Sequence, residues 1–134
     1  MDWKKFDTEI RTLGKHIAKT GWSPDAVVGV VRGGVIPATV LANIFNVRKF
    51  YVIKVGHVGE DRRVKTFEPN MFEKKVLLVE DMIETGKSLK AAKELLESKG
   101  AEVKTACLYT MPKSEIVPDF SLKVMKEVVL FPWE

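Results

Sequence analysis

The 134-residue chain has a single cysteine, Cys107, so no disulfide forms within it. Its two histidines, His16 and His57, are too few for a zinc site of standard ligand spacing. No apolar run approaches the ~20 residues that cross a bilayer, so no membrane partner is expected. The start, Met1-Asp2-Trp3-Lys4-Lys5, leads into no apolar stretch, so no secretory signal is expected. Charge of one sign is scarce too: 22 basic and 18 acidic side chains leave a net charge of +4. That balance tolerates phosphorylated small molecules or nucleic acid and demands neither. Aromatic and basic residues do not interleave, so no nucleic-acid partner is expected. Cys107 lies in an apolar segment and reads as a small core residue of a cytoplasmic protein. The length fits one domain, residues 1–134.

What is present alternates between two periodicities. Trp3, Phe6, Ile10, Leu13 and Ile17 recur every three or four residues, the apolar stripe of an amphipathic helix that packs on a core. Trp22 reads as core in the same way. Gly21 and Ser23-Pro24 end the helix. Ala26 to Val31 is a valine-rich run, the pattern of a strand buried on both faces, and Arg32-Gly33-Gly34 interrupts it. Val35 to Phe45 is helical, with Pro37 tolerable in a first turn. Lys49 to Val55 predicts a second strand. Gly56 to Asn70 carries many charges and little apolar periodicity, so it reads as a long loop of functional length. Val76 to Val79 predicts a third strand, Ser88 to Lys99 a helix stopped by Gly100, and Val103 to Tyr109 a fourth strand. A last strand-like run covers Val124 to Phe131. Strands alternating with helices predict an α/β fold, a mostly parallel sheet flanked by helices.

One segment carries most of the chemistry. Val76-Leu77-Leu78-Val79 runs into two adjacent acids, Glu80 and Asp81, and then into Thr85-Gly86-Lys87-Ser88 at a helix start. Ligands of parallel sheets bind at the carboxyl ends of the strands, where these acids sit. Two neighbouring carboxylates there suit sugar hydroxyls, which donate to them, or a hydrated Mg²⁺. The Thr-Gly-Lys-Ser turn offers backbone N–H groups and two hydroxyls at a helix N-terminus, an anion site. A P-loop also ends in Gly-Lys-Ser, but its first glycine would fall at Asp81, and an acid there repels phosphate. The dinucleotide-binding glycine pattern is absent as well.

Taken together, Val76 to Ser88 resembles the motif of the type I phosphoribosyltransferases, which bind 5-phosphoribosyl-1-pyrophosphate. Val28-Gly29-Val30-Val31-Arg32-Gly33-Gly34 resembles their pyrophosphate loop, and Val129-Leu130-Phe131-Pro132-Trp133-Glu134 resembles the close of compact purine enzymes related to the xanthine-guanine enzyme. The resemblance implies the type I phosphoribosyltransferase fold, with a small hood made by the N-terminal helix and the C-terminal tail. It implies transfer of ribose 5-phosphate to a purine in nucleotide salvage, with Mg²⁺ as cofactor and a homodimer as the assembly. On it, Glu80 and Asp81 bind the ribose hydroxyls directly or through Mg²⁺, and Glu84 is the general acid/base. Thr85, Gly86, Lys87 and Ser88 cradle the 5′-phosphate, and Arg32 and Gly33 hold pyrophosphate. A non-proline cis peptide is expected between Arg32 and Gly33. The 56–70 loop is placed to act as a lid through Arg62, Arg63 and Lys65; His57 reads as loop surface.

The base pocket would involve Ile83, Met111, Val128 and Phe131, with Trp133 either lining it or anchoring the tail on the core. Xanthine-guanine relatives carry a lysine where Met111 stands and an aromatic residue near Val128. Methionine cannot donate to a purine 6-oxo group, and valine offers less stacking area. The family default is therefore a 6-oxopurine, with adenine open. The alternative function is a non-catalytic regulator that senses phosphoribosyl pyrophosphate or a nucleotide on the same fold.

Overall fold

The computed structural model describes residues 1–134. Helix α1 (Trp3–Lys19) starts where Asp2 accepts a hydrogen bond from the Lys5 N–H at 2.8 Å. It buries Phe6, Ile10, Leu13 and Ile17, as the stripe predicts. Trp3, in the exposed first turn, is an exception at 54% exposure. Strand β1 (Ala26–Val30) is buried throughout, and α2 (Val35–Ile44) returns the chain to β2 (Phe50–Ile53). Strands β3 (Val55–Val58) and β4 (Asp61–Val64) follow, then β5 (Lys75–Val79) and the two-residue β6 (Met82–Ile83). Helix α3 (Lys87–Ser98) leads through Gly100, at φ +90°, to β7 (Glu102–Ala106). Short β8 (Tyr109–Thr110) and β9 (Lys123–Val124) complete the chain.

The central sheet is parallel in the order β2-β1-β5-β7. The chain leaves β1 toward one edge and comes back to β5 on its other side. The strand order therefore reverses between β1 and β5, and a crevice opens at their carboxyl ends. Alternate residues of the strands feed two cores. Val27, Leu77, Val79 and Ala106 pack with α1 and α2 on one face. Val28, Val30, Leu78 and Val103 pack with α3, Phe67 and Met71 on the other. Cys107 is buried in this second core. No helix is long and apolar enough to cross a membrane.

Four expectations are corrected. Residues 56–70 are not a structureless loop: β3 and β4 pair as an antiparallel hairpin from Val55–Val64 to Val58–Asp61. Its turn is Gly59-Glu60, and Gly59 at φ +63° supplies the positive φ that a two-residue hairpin turn needs. The charges of this segment hide the alternation because both hairpin faces are wet. The run from Val124 to Phe131 is not a strand beyond β9. Val128 and Leu130 are 54% and 70% exposed, and the segment is held by the Met1 amine on the Leu130 carbonyl (2.9 Å) and by the Val129 N–H on Met82 Sδ (3.5 Å). The cis peptide lies between Val31 and Arg32, one bond earlier than expected. The Val31 N–H still bonds to Ile53 O and the Gly34 N–H already reaches back to Val30 O, both at 2.9 Å, so the chain reverses at that step. Trp22 is half-buried rather than core; its indole donates to Glu102 at 3.0 Å.

Candidate active site

The crevice between β1 and β5 brings together the two loops singled out in the sequence. Gly33 lies so close to Asp81 that an added Cβ would sit 2.6 Å from its carboxyl carbon. Any side chain at position 33 would therefore displace the acid. Arg32, Gly33, Glu80, Asp81, Met82, Trp133 and Glu134 line a cavity of about 680 Å³ there. Asp81 is buried, and its Oδ1 accepts from the Met82 N–H at 2.6 Å. Glu80 accepts from the Asp81 N–H at 3.1 Å. Burial, and then the adjacent Asp81 charge, hold the Glu80 carboxyl well above the usual range. Asp81 is raised as well, by burial first and by the charge of Glu134; the Met82 amide and the nearby Trp133 indole pull it back.

A neighbouring cavity of about 250 Å³ shares Glu80 and Met82 and adds Ile83, Glu84, Gly86, Ser88 and Leu89. His57 and Arg62 close it from the hairpin, where they are a directly opposed pair. Glu84 is exposed and lies in this cavity. The turn into α3 needs Gly86 twice over. Its φ is +82°, and a Cβ would come within 2.5 Å of Ile116 and 2.9 Å of Ser114. Gly86 gives helix α3 no side-chain cap, and of its first amides only the Lys87 N–H finds a partner, so those of Ser88 and Leu89 are left for a ligand or water.

Not every anticipated residue converges here. The Lys87 side chain turns away and donates to the Glu60 carbonyl of the hairpin turn at 3.3 Å. It lines a separate cavity with Arg62, Arg63 and Lys90. Thr85 Oγ1 accepts from the Lys87 N–H at 3.4 Å, and its carbonyl accepts from Glu115 at 2.6 Å. Phe131 is buried, stacked between Tyr109 (6.0 Å) and Trp133 (4.9 Å). Met111 donates its N–H to Ile83 O at 2.9 Å and packs against the core, while Val128 is exposed. None of the three cavities just described is lined by Met111, Val128 or Phe131. Sequence reasoning missed the His57 side chain and Glu134. The Gly59-Glu60 turn signal would have revealed the hairpin that carries His57; nothing local marks Glu134.

A family model for the phosphoribosyl transferase domain matches residues 1–134. The chain belongs to this phosphoribosyl transferase family. Similar solved structures include a purine phosphoribosyltransferase from Pyrococcus horikoshii Ot3. It is 32% identical with a TM-score of 0.91, the match covering 100% of this chain and 92% of that one. The xanthine-guanine-hypoxanthine phosphoribosyltransferase of Helicobacter pylori, 24% identical, shares the fold with a TM-score of 0.88 over 99% and 90% of the two chains. Among curated relatives, the xanthine-guanine phosphoribosyltransferase of Gluconobacter oxydans (strain 621H) is 26% identical over 141 residues, covering 98% of this chain and 82% of the relative.

Proposed function

We propose that this phosphoribosyl transferase moves ribose 5-phosphate from phosphoribosyl pyrophosphate to N9 of a purine, releasing pyrophosphate. One observation carries the reading. The β1 exit abuts the acid pair, and the acid pair abuts an uncapped helix N-terminus, so anion, sugar and second anion find sites in sequence. In the reaction the C1′–N9 bond forms as the C1′–O bond to pyrophosphate breaks. Positive charge grows on the sugar and negative charge on the leaving group. Asp81 and Glu80 accept hydrogen bonds from the ribose hydroxyls. The turn 85–88 holds the 5′-phosphate through backbone amides, with Ser88 adding its hydroxyl. Arg32 and the backbone at Gly33 steady pyrophosphate, while Glu84 accepts the proton that the purine loses.

Mg²⁺ fits this donor set. It takes one or two carboxylates together with substrate phosphates. Glu80 and Asp81 supply two, and no group of three metal-ligating side chains converges to form a closed cage. Bound Mg²⁺ neutralises charge building on pyrophosphate. The hairpin with His57 and Arg62 excludes water, which would otherwise hydrolyse the activated sugar. A cytoplasmic homodimer, with the β1-exit loop near its interface, completes the proposal on family grounds.

The test is a spectrophotometric assay with phosphoribosyl pyrophosphate, Mg²⁺ and each of guanine, xanthine, hypoxanthine, adenine and uracil. Turnover with at least one purine and none with uracil is expected. No turnover with any purine would refute the proposal.

A further inference from the structure

The Trp133 indole Nε1 is buried and has no hydrogen-bond partner, the one buried side-chain nitrogen or oxygen in that state. An unpaired buried donor costs about 1–3 kcal/mol, and such groups in native proteins call for an explanation. The ring is not free to turn outward. Phe131 stacks on it at 4.9 Å and 9°, Phe6 meets it edge-on at 5.0 Å, and Trp3 lies 6.0 Å away. So fixed, it lines the same cavity as Asp81. That carboxylate is only half satisfied. Oδ1 takes the Met82 N–H, while Oδ2, pressed against Gly33, forms no hydrogen bond of ordinary length; the Trp133 indole and the Glu80 carboxyl lie close enough to favour the Asp81 carboxylate without closing one. A donor without an acceptor and an acceptor without a donor therefore share one cavity.

We propose that Trp133 is a positioning residue whose indole N–H donates to the Asp81 carboxylate in the working site, fixing that acid for the ribose hydroxyls. The C-terminal segment then contributes to sugar binding as well as to packing on α1. Tryptophan suits this role because its ring reaches from the aromatic cluster to the crevice while its single polar atom donates only. The inference rests on the reading of Asp81 as a ribose ligand.

The experiment is a calorimetric titration with phosphoribosyl pyrophosphate and Mg²⁺, base absent. It compares wild type, Trp133→Phe, Asp81→Asn and the double variant, with melting temperatures recorded alongside. Trp133→Phe keeps the stack and removes the N–H. It is expected to weaken binding about tenfold, the worth of one hydrogen bond to a charged group. In the Asp81→Asn background the same change should cost less than about twofold, as coupled neighbours require. Wild-type affinity in Trp133→Phe, with Asp81→Asn weakened, would overturn the inference alone; so would losses that simply multiply in the double variant. Wild-type affinity in Asp81→Asn would instead overturn the ribose reading, and the inference with it. Should Trp133→Phe fold poorly, benzothienylalanine at position 133, isosteric but lacking the N–H, is judged by the same criteria.

Discussion

Glu80, Asp81 and Ser88 hang from a strand buried on both faces and from the first turn of a helix. Met111 and Val128 stand instead on irregular chain, one half-buried and the other 54% exposed. The first region is over-determined. Gly33 admits no side chain beside Asp81, and Gly86 admits none beside Ile116 and Ser114. The second is held by a few backbone bonds and by an aromatic stack that Phe131 spends on packing rather than on a pocket. On the proposed function, a site built this way would keep the activated sugar constant and leave the acceptor to be set by loop residues. Rigid elements place groups to within fractions of an ångström, and loops tolerate change.

The sharpest way to break this contrast is at the junction of the two regions. Glu84→Gln keeps the shape of the side chain and removes the base. It should lower kcat by about 10²–10⁴ with little change in KM for phosphoribosyl pyrophosphate. Steady-state kinetics at saturating base checks this, and an unchanged kcat would remove Glu84 from the chemistry. The acceptor end should respond more mildly. Met111→Lys introduces a donor near the pocket and should favour 6-oxopurines over adenine by about 10–100-fold in kcat/KM, measured with the two bases in competition.

The smallest effect is on stability, and its sign follows from the acid pair. Burial and Asp81 raise the Glu80 carboxyl, so the folded chain binds its proton more tightly than the unfolded chain does. Stability therefore falls as pH rises from the ordinary carboxylate range through the raised native value. Glu80→Gln removes that penalty. Its melting temperature at pH 7–8 should exceed that of wild type by a few degrees, with a flatter pH profile, while sugar binding suffers. A lower melting temperature than wild type would mean that Glu80 is better paired in the native state than its surroundings indicate.

The over-determined region is also the one most legible in the sequence. A four-residue apolar run, two acids and a Gly-Lys-Ser turn leave few physical alternatives, and β5, the turn and α3 lie where that pattern puts them. The α1 stripe was readable because five apolar residues share one helical face, although Trp3 at its end stays wet. The hairpin at 55–64 was hidden, since neither face is buried enough to impose alternation and only Gly59-Glu60 marks the turn. The tail misled in the opposite sense. Val128, Val129 and Leu130 look like a strand, yet no edge pairs with them, and Pro132 follows. Trp133 reaches the cavity of Asp81 only through tertiary folding, 52 positions further along a sequence that carries no sign of that meeting.

The separation of the two regions is tested most directly by the affinity for phosphoribosyl pyrophosphate, measured calorimetrically with Mg²⁺ and no base, in Asp81→Asn and Met111→Lys side by side. Tight binding is expected in wild type, a loss of about 10²-fold or more in Asp81→Asn, in line with removing a charged hydrogen-bonding partner, and wild-type affinity in Met111→Lys. Equal losses in both variants, or no loss in Asp81→Asn, would contradict that separation.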